Sequence, residues 1–294
     1  MAWRRALAAG ALALLCASAV QARWSVWCSQ PLQPNATQHD RLLRFGAVLR
    51  ERLRQSTAPA VLVSRSGTNL HWLGQRYSHA GVALRDNPLA PWAVRQLYFA
   101  CEEQRSRVFD QGLPGFLLDF ADPDEGYVSL LLLPPEAASA LARAALDETS
   151  ALGVLEPRYN AASYPFDLSD QNCNQWLLEL MARAWGAPPG RAGAQAWLAE
   201  AGYRPAHVET GALQGLAPFI PWVRGGGQPR ETLQQGVWQV SLPSSIEDFV
   251  RQRYPQARRI ELCHDGRRVV LRENGPPIAD GCRPAPGDVL TPLD

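Results

Sequence analysis

The residues of this chain that could do chemistry are few, and one short run concentrates them. Ser169-Asp170-Gln171-Asn172-Cys173-Asn174-Gln175-Trp176 sets a cysteine just after Ser169, Asp170 and Asn172, all residue types that cap helices. Cys173 is therefore expected in the first turn of a helix running to Trp185, a stretch ended by Gly186 and Pro188. Unpaired backbone N–H groups and the helix dipole favour an anion there, which lowers a thiol pKa. The thiolate is the nucleophile, so such a cysteine can attack an acyl carbon while the same N–H groups hold the oxyanion. The competing reading is a small apolar residue packed with Leu177 and Leu180, because free cysteine is among the most buried residue types.

A cysteine nucleophile needs a base, usually histidine. The candidates are His39, His71, His79, His207 and His264. His39 opens a helical pattern, His71 lies in a polar connection, and His264 stands beside an Asp265-Gly266 turn. His79 begins the small-residue run His79-Ala80-Gly81-Val82-Ala83-Leu84. Strand alternation puts His79, Gly81 and Ala83 on one face, which leaves room around the imidazole. Gly81 also lets another backbone or a substrate come close.

Other chemistries find no support. The 29 basic residues are all arginine, so Schiff-base chemistry, a lysine base and a phosphate-loop lysine are excluded. No pair of metal ligands stands at helical or hairpin spacing, and no Gly-rich phosphate loop or Gly-x-Ser-x-Gly elbow occurs. The cluster Asp119, Asp122, Asp124 and Glu125 lacks the alternation of a calcium loop. No cofactor is expected. A net charge of +1 predicts no affinity for nucleic acid.

The start of the chain reads as a secretory signal peptide over residues 1–22. Arg4 and Arg5 precede the apolar run Ala6 to Ala19, and Val20-Gln21-Ala22 supplies the small residues of a cleavage site. Cys16 follows Leu15, where a lipoprotein signal needs a small residue. The protein is thus expected to be exported, to the periplasm or beyond, with no membrane span in the mature chain. Export favours disulfides. The mature chain keeps Cys28, Cys101, Cys173, Cys263 and Cys282, an odd number that leaves at least one thiol unpaired. Cys263–Cys282 is the favoured pair and Cys28–Cys101 the next, which leaves Cys173.

The elements that must position these residues can be read in outline. His39 to Gln55 has helical periodicity. Pro59–Ser64, Ser78–Leu84, Trp92–Ala100 and Tyr127–Leu133 read as strands, and Asp110–Phe116 as a loop. Pro135–Leu152 and Cys173–Trp185 read as helices, with a shorter one at Gln195–Ala201. Residues 225–229, with three consecutive glycines, read as a linker. A small C-terminal α/β module is expected at 230–294: a helix over Ser244–Tyr254, then strands Arg259–Cys263 and Arg268–Leu271 around the Asp265-Gly266 hairpin turn. Residues 23–224 then form the main domain.

Two motifs and their order resemble circularly permuted papain-like hydrolases of the NlpC type: the Tyr77-Ser78-His79-Ala80-Gly81 strand comes first, and Asn172-Cys173-Asn174-Gln175-Trp176 later. That resemblance implies an α+β, papain-like core of antiparallel sheet packed on helices. It also implies a Cys173–His79 dyad with a third polar residue orienting the imidazole. Gln96 is the candidate for that role; Glu102 or Asn172 could serve instead. Across residues 28–285 the chain more closely resembles an uncharacterised bacterial family, domain of unknown function 2145. The carriers are R-Y-S-H-A-G at 76–81, D-Q-G-L-P-G-F at 110–116, Y-N-x-x-x-Y-P-F at 159–166 and N-C-N-Q-W. The expectation is a cysteine hydrolase acting on an amide or ester in a peptide, peptidoglycan stem or lipid. The alternative is a non-catalytic envelope protein that binds a ligand or partner on the same scaffold. Oligomeric state is not legible.

Overall fold

The computed structural model describes residues 33–211 and 222–293. The expected signal peptide and Cys28 lie outside the described residues.

The chain folds as a mixed α+β protein around a large antiparallel sheet. Helix α1 (Ala36–Gln55) is set by a capping box, Asn35 and Gln38 satisfying each other's backbone N–H groups. Its apolar stripe of Leu42, Phe45, Leu49 and Leu53 is buried. The strands that follow are β1 (Ala60–Arg65), β2 (His79–Leu84), β3 (Val94–Ala100), β4 (Arg105–Gln111) and β5 (Gly126–Leu132). A short helix, α2 (Leu113–Leu117), separates β4 from β5. Then come α3 (Pro135–Leu146), α4 (Glu148–Gly153), α5 (Cys173–Ala184) and α6 (Gly190–Glu200). The C-terminal part adds β6 (Ala206–Glu209), α7 (Arg230–Gln234), β7 (Val237–Val240), α8 (Pro243–Arg253), β8 (Arg258–His264), β9 (Arg268–Glu273) and β10 (Val289–Pro292).

Eight strands form one sheet in the order β10-β9-β8-β5-β1-β2-β3-β4, and β6 pairs with β7 in a small second sheet. On one face Ala60, Leu62, Ala80, Val82 and Leu97 pack against Leu141 of α3, Trp176 and Leu180 of α5, Leu198 of α6 and Phe249 of α8. On the other, Val61, Val63, Ala83 and Val94 pack against α1 and against Phe116 of α2. A helix-covered sheet of this kind needs near-continuous apolar strands, and β5 is buried at all seven positions.

Several expectations change on contact with the structure. The residues read as the loop 110–116 contain the end of β4 and all but the last residue of α2, because Pro114 suits a first helical turn. The helix read over 135–152 divides at Asp147, which caps α4 by accepting from the Ser150 N–H. The segment 230–294 does not stand apart as a module, since its strands β8, β9 and β10 extend the main sheet. The reason is β5: it has two hydrogen-bonding edges, β1 covers one, and β8 pairs along the other from Gly126↔His264 to Leu132↔Arg258. The three-glycine stretch is likewise tied down, Arg224 N donating to Asn160 Oδ1 and Gln228 Nε2 to the Ala162 carbonyl.

Candidate active site

Cys173 is the first residue of α5. Asn172 is its N-cap, with an extended backbone and a side chain that accepts from the Gln175 N–H. A buried polar network fixes the segment that delivers this cap. The Glu179 carboxylate accepts from Arg191 Nε (2.8 Å), Gln171 Nε2 (2.8 Å) and Gln195 Nε2 (2.8 Å). Arg191 also donates to the Leu168 and Asp170 carbonyls, clamping the chain just ahead of the cysteine. Burial raises the Glu179 carboxyl against the opposing pull of Arg191.

His79 opens β2, opposite Arg65 at the end of β1. Its Nε2 donates to Gln96 Oε1 at 2.5 Å, an assignment that follows because an amide oxygen only accepts. Gln96 Nε2 donates onward to Gln111 Oε1 at 2.6 Å. Of the three residues weighed for orienting the imidazole, Gln96 therefore bonds it, Asn172 caps α5, and Glu102 is exposed in the turn after β3. With Nε2 protonated, Nδ1 carries the free lone pair of a base.

The structure joins His79 to Gln96 but does not join Cys173 to His79. Arg65 and His79 both turn toward Phe116, whose ring lies 6.1 Å from the imidazole and 5.1 Å from the Arg65 Cζ. Cys173 belongs to the buried cluster that includes Ala80 and Val82, and its side-chain partner is Tyr159. Tyr159 is itself stacked on Phe99 at 5.1 Å. Two links bring the thiol to the imidazole's corner: Asn174 Nδ2 donates to the Ser78 carbonyl at 3.1 Å, and Arg65 acts electrostatically on both groups.

Electrostatics also depart from expectation. A helix N-terminus should lower the thiol pKa, yet burial pushes Cys173 up to about 11, outweighing Arg65, the backbone N–H groups and Tyr159. Burial and then Arg65 depress His79 to about 3, against the pull of Gln96. The resting pair is thus a neutral thiol and a neutral imidazole. Cys173 is the free cysteine among the described residues, while Cys263 and Cys282 are bonded and Cys101 is itself in a disulfide.

Arg65 went unread from sequence although its signal was present. It shares strand parity with Val61 and Val63, so a charge was due on a buried face. Its Nη2 donates to Asp119 Oδ2 (3.1 Å) and its Nη1 to the Asp119 carbonyl. The remaining acidic residues of that cluster are similarly engaged: Asp124 pairs with Arg41, and Asp122 accepts from the Asp124 N–H. No group of three His, Cys, Asp or Glu among the described residues could hold a metal ion. A surface hollow between Arg267, Arg268, Leu290 and Pro292 contains none of the site residues.

Fold and site together define a mixed α+β protein with a buried cysteine, histidine, glutamine and arginine where the capped helix α5 meets β1, β2 and β3. The chain belongs to the family described as "uncharacterized protein conserved in bacteria" (DUF2145), which matches residues 52–250. No curated protein and no solved structure matches it.

Proposed function

We propose that this protein is an exported cysteine hydrolase of papain-like type, acting on an amide or ester bond of a peptide, peptidoglycan stem or lipid. The observation that carries the reading is the His79 Nε2–Gln96 Oε1 hydrogen bond, which leaves Nδ1 free to accept a proton. Cys173 supplies the nucleophile from the first turn of α5. As Sγ bonds to the carbonyl carbon, its proton passes to His79 Nδ1 and the π electrons move to oxygen. Collapse of that intermediate breaks the bond to the leaving group, which takes the proton from His79. Water, deprotonated by the same nitrogen, then releases the acid and restores the thiol. The thiol must turn from Tyr159 to His79 for the first step.

One observation favours a second reading, a ligand-binding protein without chemistry: Cys173 is only 7% exposed and is partnered by Tyr159. Intact-mass spectrometry separates the two. The protein is incubated with p-nitrophenyl acetate and with a panel of acyl thioesters and acyl p-nitroanilides. The hydrolase reading expects one acyl adduct, mapped to Cys173 and labile to hydroxylamine. His79→Ala should slow its formation by about 10²–10⁴-fold without loss of fold. No adduct, or an adduct formed as fast in folded His79→Ala, overturns the reading in favour of ligand binding.

A further inference from the structure

We propose that Arg65 is the resident cation of the Cys173 site and stabilises the thiolate that does the attacking, a role that rests on the hydrolase reading above. A nucleophilic thiolate is ordinarily supported by an adjacent positive charge, often an imidazolium. His79 cannot readily be that charge, because it lies in a buried setting and is held neutral. The other titratable groups facing the site are Tyr98, Tyr159 and Asp119, none of them cationic. Arg65 is permanently charged and 5% exposed.

Placement supports the role. Arg65 is paired across β1 and β2 with His79, and its carbonyl accepts from the Ser78 N–H at 3.2 Å. The Ser78 carbonyl in turn accepts from Asn174, the neighbour of Cys173. The Arg65 backbone is therefore tied through Ser78 to the first turn of α5, and its guanidinium lies with Ser78 Oγ against Gly67. Both of its terminal nitrogens bond Asp119, while Nε is buried with no partner. A buried donor left unpaired is costly, and the Cys173 thiol is among the groups on which this guanidinium acts electrostatically. The Asp119 side chain is 32% exposed, so its charge is screened more than that of the arginine.

The test is the rate of iodoacetamide alkylation at Cys173 near pH 8, where the rate follows the small thiolate fraction, located by peptide mass spectrometry. Arg65→Gln should lower that rate about tenfold, as a loss of about one unit of thiolate stabilisation requires. Arg65→Lys keeps the charge and should stay within about threefold of the parent. An unchanged rate in folded Arg65→Gln overturns the inference, and so does Arg65→Lys behaving like Arg65→Gln. Should Arg65→Gln fail to fold, the parent alone decides. Its ratio of iodoacetate to iodoacetamide rates should exceed that of free glutathione and fall with added salt, and a ratio equal to glutathione's overturns the proposal. The hydrolase reading fails separately: an Arg65-dependent profile with no acylation from any donor removes the reaction and keeps the cation.

Discussion

The six residues Arg76 to Gly81 serve two polar clusters that obey opposite rules. At the first end, Arg76 and Tyr77 reach the corner closed by the Cys263–Cys282 disulfide. There the buried Glu261 carboxylate accepts from Arg76 (3.1 Å), Tyr77 Oη (2.6 Å), Arg259 (2.5 Å) and the Ile278 N–H (2.8 Å). Arg76 also lies over the Tyr127 ring at 4.4 Å, and Cys282 N donates to Tyr127 Oη. At the other end, two residues on, His79 enters a cluster where Arg65 Nε and Asn174 Oδ1 are buried without partners and both Cys173 and His79 are forced neutral. Complete pairing makes the first cluster a structural joint. The unpaired atoms of the second are an energetic cost that only a bound or developing charge would offset. Spare hydrogen-bonding capacity, more than burial or residue type, separates a site from a joint.

The largest expected effect breaks the joint. Glu261→Ala strands Arg76 and Arg259 around an empty centre and should cost about 3–5 kcal/mol in urea unfolding. Arg65→Met, also a buried ion-pair deletion, should change stability by less than about 1 kcal/mol, because it removes an incompletely satisfied group and leaves Asp119 partly solvated. Equal costs for the two would erase the contrast. Next in size is the disulfide: Cys282→Ala frees a 19-residue separation and should cost about 3 kcal/mol, measured on the oxidised protein.

His264 sharpens the comparison because it breaks the local rule, following Cys263 directly yet having both ring nitrogens buried and unpartnered. Burial depresses it to about 4. It is neutral in the folded protein, whereas the unfolded chain binds a proton below about pH 6.5. The unfolded state therefore holds more protons between about pH 6.5 and pH 4, and stability must fall as pH drops through that window. His264's share of the loss is about 2 kcal/mol at about pH 5. His264→Phe, between the rings of Phe45 (5.0 Å) and Phe120 (5.8 Å), should remove that share, flattening the stability curve between pH 7 and pH 5. A curve as steep as the parent's would assign the acid sensitivity elsewhere, His79 being the other depressed imidazole.

How much of this the sequence discloses follows the range of the interactions. Local signals carried far: the N-cap at Asn172, the helix behind Cys173, the strand that opens with His79 and the Asp265-Gly266 turn all depend on neighbours in the chain. Gln96 needed the resemblance to a known arrangement, since nothing within its own strand marks it. What stayed hidden was register. Alternation alone places His79 with Gly81 on one face, but only the antiparallel pairing of β1 with β2 sets Arg65 opposite, and only the packing of α5 brings Cys173 to Tyr159. The same blindness made the last strands look like a separate module, because the edge of β5 that receives β8 is a backbone feature without a residue type. The pKa of Cys173 was misjudged for a related reason: a dipole can be read from a cap, whereas depth of burial belongs to the whole fold.

The smallest effect tests that last balance most directly. Asn172 caps α5 through its Oδ1, which accepts from the Gln175 N–H, and its Nδ2 donates to the Ala161 carbonyl at 3.2 Å and to the Ser241 carbonyl at 3.5 Å. Asn172→Ser preserves an acceptor for the cap but loses the reach to Ala161, whereas Asn172→Ala loses both. Cap removal should cost about 1 kcal/mol and the serine variant about half of that. If burial rather than the helix terminus governs the thiol, both variants should alkylate at Cys173 with the parent's midpoint, differing only in the rate at which the fold opens. A midpoint that rises in Asn172→Ala and returns in Asn172→Ser would instead restore the helix terminus as the controlling charge. It would also place the activation of Cys173 in α5 itself rather than in Arg65.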